Sequence, residues 1–502
     1  MRLARFLCAA LPAAALLAGC ATSKPAPARA NPGATAEASK PAAPAARKKP
    51  ATPGLVVYAD EVLAPVNRNV LSGFNYATAN IVDFMEDLQA VKAGQLRVGG
   101  ESYDRNDLSE AVLGNIKANV LILRSQEGEG AVPGAVVQTR VGWLGTQGGE
   151  PRNQPEDAAN AVRWAKAMGL KVDYWEIGNE PDLYGAKQSA PDYTPQKYCA
   201  TFRAQAAAMK AVDPAVKVAG PVVSGAKPAR DTFLEQFVKD CGDVVDVLTW
   251  HIYPTDGGAD DDLAFSTAAE ADQTVDAYRA LWADKRANPK GWQRPIELGV
   301  TEYGLSWQSG RARHLSDMPA AMWTLETALR LNEKGVGSAH YFSIQGMQNH
   351  GLVDQSGARR PVWYAFITLS KLSGNLVAAA TGDDDVWAHA ARAGDRLDVV
   401  LVNKATAPKT LPVAVPGFTL RHAAYFDDAV TKDERPVEPL AVAAAVTLPP
   451  RSVVHLAYGQ GDAVVADPYA RPAAAAPAPA AEKPAKAVKA KAKKAGKKPT
   501  RK

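Results

Sequence analysis

Apolar and polar positions alternate between two periods along the central part of the chain. Short β-branched or apolar runs, typical of buried strands, are separated by Ala-rich stretches with the three-to-four-residue repeat of amphipathic helices. The eight predicted strands cover residues 71–76, 95–99, 136–143, 172–180, 216–223, 244–254, 296–303 and 339–345. The clearest predicted helices cover residues 155–168, 194–212, 230–240, 267–287 and 318–334.

Eight strand–helix units in succession predict an α/β fold in which the strands close into a parallel (β/α)8 TIM barrel. The alternative is an open, doubly wound sheet. That fold would favour a Gly-rich phosphate-binding loop after its first strand, and the sequence has none there.

The pattern changes after residue 372. Short apolar runs at 386–391, 397–403, 411–415, 423–426 and 453–458 follow one another with turn residues between them and no long helix. This spacing predicts an antiparallel β-sandwich appended to the barrel. A further predicted strand at 55–63 precedes the barrel, and we expect it to join the sandwich.

The two ends of the chain differ in composition and charge from residues 54–470, the body of the protein. Residues 1–53 carry a net charge of about +7 and residues 471–502 about +10, whereas the whole chain carries +5. The body is therefore acidic, at about −12, and the basic balance gives no indication of a nucleic-acid partner. Both ends are rich in Ala, Pro and Lys and poor in large apolar residues, which predicts disorder.

The N-terminus has the pattern of an export signal. Arg2 and Arg5 precede an apolar run that is too short to span a membrane, and the run ends in Leu-Ala-Gly-Cys at residues 17–20. This motif resembles a bacterial lipobox, which implies acylation of Cys20 and a place in the cell envelope, at the outer membrane. The alternative is an ordinary cleaved signal.

These observations give the predicted organisation of the chain. It comprises a signal peptide at 1–20, a tether at 21–53, a strand of the sandwich at 54–66, the barrel at 67–373, the sandwich at 374–462 and a basic tail at 463–502. For the tail, two interpretations stay open: a solvated segment, or electrostatic contact with anionic envelope polymers. The sequence does not indicate an oligomeric state.

Cys199 and Cys241 are the two cysteines outside the signal segment. The first lies early in the helix after the fourth barrel strand, and the second lies at the end of the next helix. Barrel helices run parallel, so these positions would be near opposite ends of the barrel, too far apart for a disulfide. We therefore expect two free thiols.

Two acidic motifs close predicted barrel strands. Trp-Glu-Ile-Gly-Asn-Glu-Pro at 175–181 ends the fourth strand, and Gly-Val-Thr-Glu-Tyr-Gly at 299–304 ends the seventh. Active sites of such barrels lie at the carboxyl ends of the strands, so Glu180 and Glu302 are expected to face each other across one cleft. Two carboxyl groups that flank a sugar linkage are what glycoside hydrolysis requires.

The motifs resemble those of the retaining glycoside hydrolases whose acid/base follows strand four and whose nucleophile follows strand seven, especially families 39, 51 and 79. These families hold β-xylosidases, α-L-arabinofuranosidases, β-glucuronidases and some exopolysaccharide hydrolases. The resemblance implies Glu180 as acid/base, Glu302 as nucleophile, and a saccharide substrate. A non-catalytic carbohydrate-binding lipoprotein on the same scaffold is the alternative.

The resemblance also implies supporting roles. Asn179 matches the residue that binds the sugar 2-hydroxyl, with a strand-end cap as the alternative. Tyr253 matches the tyrosine that hydrogen-bonds the nucleophile, and His251 is expected in the sugar pocket or in the core. Arg97 is expected to pair with Glu302, or else with Glu176, which we interpret as a buried structural carboxylate.

Aromatic residues at strand ends are candidates for stacking on sugar rings, with Trp307 foremost; the others are Trp143, Tyr184 and Phe342. The eighth strand carries Phe342 where many relatives place a Trp, which leaves the identity of the sugar open. The sequence has no zinc motif, EF-hand spacing or Gly-x-Ser-x-Gly elbow, so we expect no metal or other cofactor.

Overall fold

A computed structural model describes residues 50, 53–75, 81–105, 108–124, 134–141, 154–187, 193–225, 232–346 and 348–470. Eight parallel strands form a closed barrel in chain order, β2 to β9. They are β2 (Gly73–Asn75), β3 (Gln95–Val98), β4 (Gly134–Thr139), β5 (Val172–Ile177), β6 (Val218–Val223), β7 (Val247–Ile252), β8 (Glu297–Tyr303) and β9 (Ser338–Tyr341). The predicted (β/α)8 barrel is therefore confirmed.

Helices alternate with these strands, and five of them fall where the periodicity predicted them. They are α1 (Arg68–Leu71), α2 (Met85–Ala90), α3 (Glu101–Arg105), α4 (Glu110–Arg124), α5 (Pro155–Met168), α6 (Tyr184–Lys187), α7 (Pro195–Val212), α8 (Thr232–Cys241), α9 (Asp261–Ser266), α10 (Ala268–Ala283), α11 (Met318–Glu333) and α12 (Pro361–Leu369). The five that coincide with predicted helices are α5, α7, α8, α10 and α11. Of all these helices, α5, α7 and α12 begin with proline, at a position where its missing N–H costs no helical hydrogen bond. No described helix is long and apolar enough to cross a membrane.

An antiparallel β domain follows the barrel, as predicted. It contains β10 (Asn375–Thr381), β11 (Val386–Ala393), β12 (Arg396–Asn403), β13 (Lys409–Pro412), β14 (Phe418–Phe426), a short helix α13 (Asp428–Lys432), β15 (Glu438–Pro439), β16 (Ala445–Leu448) and β17 (Ser452–Gln460). The sandwich is unequal, since a seven-stranded sheet faces a two-stranded one made of β13 and β16. Strand β1 (Leu55–Pro65), which precedes the barrel, pairs with β10 at the edge of the large sheet.

The two faces of the large sheet have different neighbours. Leu397, Val399 and Leu401 pack with Leu411 and Leu448 of the small sheet in a separate apolar core. Val400 and Val402 alternate with them along β12 and belong to the core of the barrel. The period-two alternation of β12 thus buries both of its faces, one in each domain.

The expectation of two free thiols is wrong, because Cys199 and Cys241 form a disulfide with a Cα–Cα distance of 5.9 Å. The prediction placed the end of α8 near the base of the barrel, far from the start of α7. In the structure Cys241, the last residue of the 10-residue helix α8, lies beside Cys199 in the second turn of the 18-residue helix α7. Arg203, one turn beyond Cys199, accordingly donates to the carbonyl of Asp240 at 2.6 Å.

Candidate active site

Glu180 and Glu302 lie at the same rim of the barrel because both follow or end parallel strands. Glu302 is part of β8, and Glu180 lies three residues beyond β5, just before a 3₁₀ turn that starts at Pro181. The backbone of Glu180 is left-handed (φ 48°, ψ 52°), a conformation that costs a non-glycine residue about 1–3 kcal/mol. Its N–H donates to the carbonyl of Val222 at 2.9 Å, which fixes this turn against the end of β6.

The two carboxyl groups approach each other closely. One oxygen of Glu180, one oxygen of Glu302 and a ring nitrogen of His251 all lie within 4.8 Å of one another. The Glu302 side chain is 7% exposed and that of Glu180 13%, so both border the cleft without being surrounded by water. The geometry brings together two acidic groups of unequal exposure at one point.

Arg97 organises the floor of this cleft from β3. It is fully buried and donates three hydrogen bonds: to Glu176 from Nε at 2.5 Å, to Glu302 from Nη1 at 2.6 Å and to Asn179 from Nη2 at 2.8 Å. The two interpretations left open by the sequence therefore both hold, since Arg97 bridges Glu176 and Glu302. Burial works against the charge of Arg97, but these two carboxylates raise its pKa above the usual value.

Tyr253 and His251 approach the carboxylates from the end of β7. The Tyr253 hydroxyl donates to Oε2 of Glu302 at 2.8 Å, and burial together with the charge of Glu302 raises the pKa of Tyr253 well above that of a free tyrosine. His251 Nδ1 lies 3.1 Å from Oε1 of Glu180 and 3.7 Å from Oε2 of Glu302. His251 is completely buried, so it belongs both to the core and to the site.

Asn179 is held beside the carboxylates by a network that sequence reasoning did not find. Its Oδ1 accepts from Arg97, and its backbone N–H donates to the Tyr184 hydroxyl, which in turn donates to Asp104 at 2.9 Å. Tyr184 is therefore a buried supporting residue and not a stacking platform. Asp104 lies in the short helix α3, which follows β3. No motif in the sequence indicates that this residue supports Tyr184.

The rings of Phe342 and His350 lie on the side of the site next to Tyr253. Phe342 is half-buried, with its ring 6.5 Å from Tyr253 and 5.1 Å from His350. His350 was also missed, because it lies in a loop where spacing carries no information. Burial lowers the pKa of His350 to about 4, although the charge of Glu302 and a hydrogen bond to the Trp307 backbone act in the opposite direction.

Trp307 lies farther out on the rim, with 56% of its surface exposed. The other predicted site residues are brought together by the fold: Arg97, His251 and Tyr253 contact Glu180 or Glu302, and Asn179 contacts Arg97. Within the described residues, the Trp307 ring makes no contact with any of them. Trp143 and Cys20 lie outside the described residues.

Glu180, His251 and Glu302 have the donor types of a metal site. Their surroundings suit a cation poorly, because both oxygens of Glu302 already accept hydrogen bonds and one of them comes from the Arg97 guanidinium. A divalent ion would be repelled by that buried positive charge. The arrangement fits a hydrogen-bonded acid pair better.

Comparisons with known proteins agree with this architecture. No family model matches the chain. A β-xylosidase of Caldicellulosiruptor saccharolyticus is 24% identical over 243 residues, 46% of this chain. The chain thus spans about half of that relative, since the match covers 47% of it.

Solved structures match over a larger part. An α-L-arabinofuranosidase of Thermotoga maritima superimposes with a TM-score of 0.62 at 15% identity, over 81% of this chain and 99% of that one. A family 51 α-L-arabinofuranosidase of Bifidobacterium longum gives a TM-score of 0.60 at 16% identity, over 81% and 100%. The chain therefore has the fold of the (β/α)8 glycoside hydrolases similar to family 51, with their appended β-sandwich.

Proposed function

We propose that the protein is a retaining glycoside hydrolase. The observation that carries this proposal is the approach of Glu180 and Glu302, whose oxygens lie within 4.8 Å at the carboxyl ends of β5 and β8. Retaining enzymes hold their two carboxyl groups about 5–5.5 Å apart, whereas inverting enzymes need about 6.5–9.5 Å to admit a water molecule. The spacing supports the first class.

Glu302 acts as the nucleophile in the first step. Arg97 donates to one of its oxygens and Tyr253 to the other, so the carboxylate is oriented toward the cleft. A bond forms between an oxygen of Glu302 and the anomeric carbon while the glycosidic carbon–oxygen bond breaks. The proton of Glu180 goes to the leaving oxygen, which becomes a neutral hydroxyl.

Glu180 acts as the base in the second step. It takes a proton from water, the water oxygen attacks the anomeric carbon, and Glu302 leaves as a carboxylate. His251 Nδ1, at 3.1 Å from Glu180, orients this side chain in both steps. Glu180 is the more exposed of the pair, which suits the group that must meet both the leaving group and water.

The substrate class follows from the site and from the relatives. The Asn179 side-chain oxygen is taken by Arg97, whereas its amide nitrogen has no protein partner in the described part of the chain and is available to a sugar hydroxyl. The relatives named above are a β-xylosidase and α-L-arabinofuranosidases. We therefore propose O-glycosidic bonds of an oligo- or polysaccharide, such as a xyloside, an arabinofuranoside, a uronide or an exopolysaccharide.

A screen of nitrophenyl glycosides and bacterial exopolysaccharides with the purified protein tests this function. We expect at least one substrate to be hydrolysed, with NMR showing that the first product keeps its anomeric configuration. Glu302→Gln should lower kcat by more than about 10³-fold, while Glu297→Gln at the exposed opposite end of β8 serves as the matched control. An inverted first product would contradict retention, and unchanged hydrolysis in Glu302→Gln would refute the assignment.

Location is a separate proposal. We propose that Cys20 is acylated and tethers the catalytic body to the cell envelope, because a lipobox-like motif and an Ala/Pro/Lys-rich segment precede the folded residues. Metabolic labelling with an alkyne fatty acid should label the wild-type protein and not Cys20→Ala. Equal labelling of both, or none of either, would reject this anchor.

A further inference from the structure

A second cavity lies away from the carboxylate pair, between the barrel and the β domain. Its volume is about 570 Å³. Helices α9 and α11 line one side with residues that include Phe265 and Arg330, and the β domain lines the other side with residues that include Trp387, Lys404 and Arg451. None of these residues belongs to the machinery of the proposed hydrolysis.

Two aromatic rings position two cations in this cavity. Phe265 and Trp387 meet edge to face at 5.5 Å between ring centroids. Lys404 Nζ lies 4.7 Å from the centre of the Trp387 ring, and the Arg451 guanidinium lies 4.9 Å from the centre of the Phe265 ring. Such contacts fix the direction of a cation without neutralising its charge.

The positive charge of these two groups is incompletely compensated. Lys404 has no carboxylate within ion-pair distance among the described residues. Burial lowers its pKa, although the more distant charges of Glu326, Asp385, Asp384 and Asp262 act in the opposite direction. Arg451 shares its one carboxylate partner, Asp261, with Arg313, and its buried Nη1 has no acceptor in the part of the chain that the structure describes. A desolvated cation that lacks a counter-charge gains most from a bound anion.

Other charges around the cavity are already paired. Arg330 donates to Glu326 and Asp272, and Asp385 accepts from Lys409 at 2.7 Å. Asp262 is the exposed acidic residue that remains at the rim. The positive charge that lacks a direct partner therefore lies on Lys404 and Arg451, and this side of the cavity favours an anionic group.

The cavity also offers partners for hydroxyl groups. The Thr406 hydroxyl and the Trp387 indole N–H have no hydrogen-bond partner among the described residues. Neutral donors beside an aromatic pair and two cations suit a ring that carries both hydroxyls and a negative charge. A simple inorganic anion would use the cations alone.

We propose that this cavity is an accessory binding site for an acidic saccharide unit, whose carboxylate lies between Lys404 and Arg451 and whose hydroxyls meet Trp387 and Thr406. The choice of a saccharide over other polyhydroxylated anions rests on the proposed function. Asp261 links the site to the rim, because Arg313 belongs to the segment that follows β8. One long acidic polymer could then contact both the cavity and the cleft.

Calorimetric titration of tetragalacturonate into Glu302→Gln protein tests the site, at a fixed ionic strength of about 0.1 M. We expect Lys404→Gln to weaken binding at least fivefold and Trp387→Phe at least twofold. Lys432→Gln, an exposed lysine on α13, is the matched control and should leave the dissociation constant unchanged. Thermal melting of each variant shows that it is folded before its affinity is compared.

Three results would overturn the proposal: equal binding by Lys404→Gln and its parent, equal binding of xylotetraose, or complete competition by equimolar inorganic sulfate. Sulfate competition would assign the cavity to simple anions. Product analysis of the titrated ligand separates this outcome from a failure of the proposed function. Hydrolysis by Glu302→Gln would refute the catalytic assignment, whatever the affinity of the cavity.

Discussion

Arg97 and Glu302 form a buried ion pair at 2.6 Å, and the same guanidinium also holds Glu176 and Asn179. One cation therefore pairs with two carboxylates and orients the candidate nucleophile together with a candidate sugar-binding amide. Because only the guanidinium of an arginine side chain offers planar, forked donors for three acceptors at once, the site depends on Arg97.

Arg97→Lys should disable the enzyme while retaining the charge. An ammonium cannot donate in three fixed directions, so we expect kcat to fall by about 10²-fold or more and the free energy of unfolding to fall by about 3 kcal/mol. Steady-state kinetics and urea unfolding measure the two effects. Arg163→Lys, in an exposed ion pair on α5, is the control and should change stability by less than about 0.5 kcal/mol. Wild-type kinetics in Arg97→Lys would contradict this role.

Tyr253→Phe removes the hydroxyl that donates to Glu302 and leaves the ring in place. A hydrogen bond to a charged group contributes about 1.5–3 kcal/mol, so we expect kcat/KM to fall by about 10- to 150-fold. Tyr58→Phe, on the exposed surface of β1, should have no effect. A fall in Tyr253→Phe confined to KM would show that the hydroxyl binds substrate and does not serve the nucleophile.

The charged surroundings of His389 determine how we expect the stability of the fold to depend on pH. This buried residue of β11 lies between two carboxylates of α11, Glu326 at 2.7 Å and Glu333 at 2.9 Å, and Glu326 also accepts a hydrogen bond from Arg330 at 2.6 Å. Burial opposes its charge, but the two carboxylates raise the pKa of His389 to about 10, whereas the pKa of Glu326 is lowered to about 2 against the cost of its burial.

A raised histidine pKa stabilises the fold below about pH 6.5, and this contribution is lost as the pH rises toward 10. A lowered glutamate pKa stabilises the fold above about pH 4.5 and is lost as the pH falls toward 2. Chemical unfolding should therefore show highest stability between about pH 4.5 and 6.5. His389→Gln should flatten the decline above pH 7, and an unchanged alkaline slope in this variant would contradict the assignment.

The disulfide between Cys199 and Cys241 closes a loop with a sequence separation of 42 residues. On the chain-entropy account, closing a loop of this length contributes about 4 kcal/mol. We expect Cys199→Ala/Cys241→Ala to lower the free energy of unfolding by about 2–4 kcal/mol and to keep its activity in the folded state. A reductant should destabilise the wild-type protein and leave the double variant unchanged, and equal effects on both would count against the disulfide.

Strand order and the position of the two carboxylates could be predicted because they depend on local patterns. Runs such as 172–180 and 296–303 place Glu180 and Glu302 at strand ends, and barrel topology then brings those ends to one rim. Predicted helix ends at 168 and 212 coincide with the observed ones because Gly169 and Asp213 end those helices.

Contacts between side chains of different elements could not be predicted in the same way. The disulfide was not predicted because the hydrophobic pattern does not show how far along the barrel axis the end of α8 lies from the start of α7. Asp104 was not predicted because its contact with Tyr184 joins segments 80 residues apart in sequence. His350 was not predicted because it lies in a loop after β9, where residue spacing does not indicate a contact such as the one with Phe342. Arg97 was predicted to pair with either Glu302 or Glu176, whereas in the structure it donates to both.

Strand β1 has a consequence for any attempt to isolate the barrel. It lies at the edge of the seven-stranded sheet and pairs with β10, although it precedes the first barrel strand in the chain. A fragment that began at residue 67 would leave the backbone donors and acceptors of β10 open to pairing with other molecules. Recombinant fragments of this protein should therefore keep residues 55–65, since their loss would favour self-association even where the barrel itself is intact.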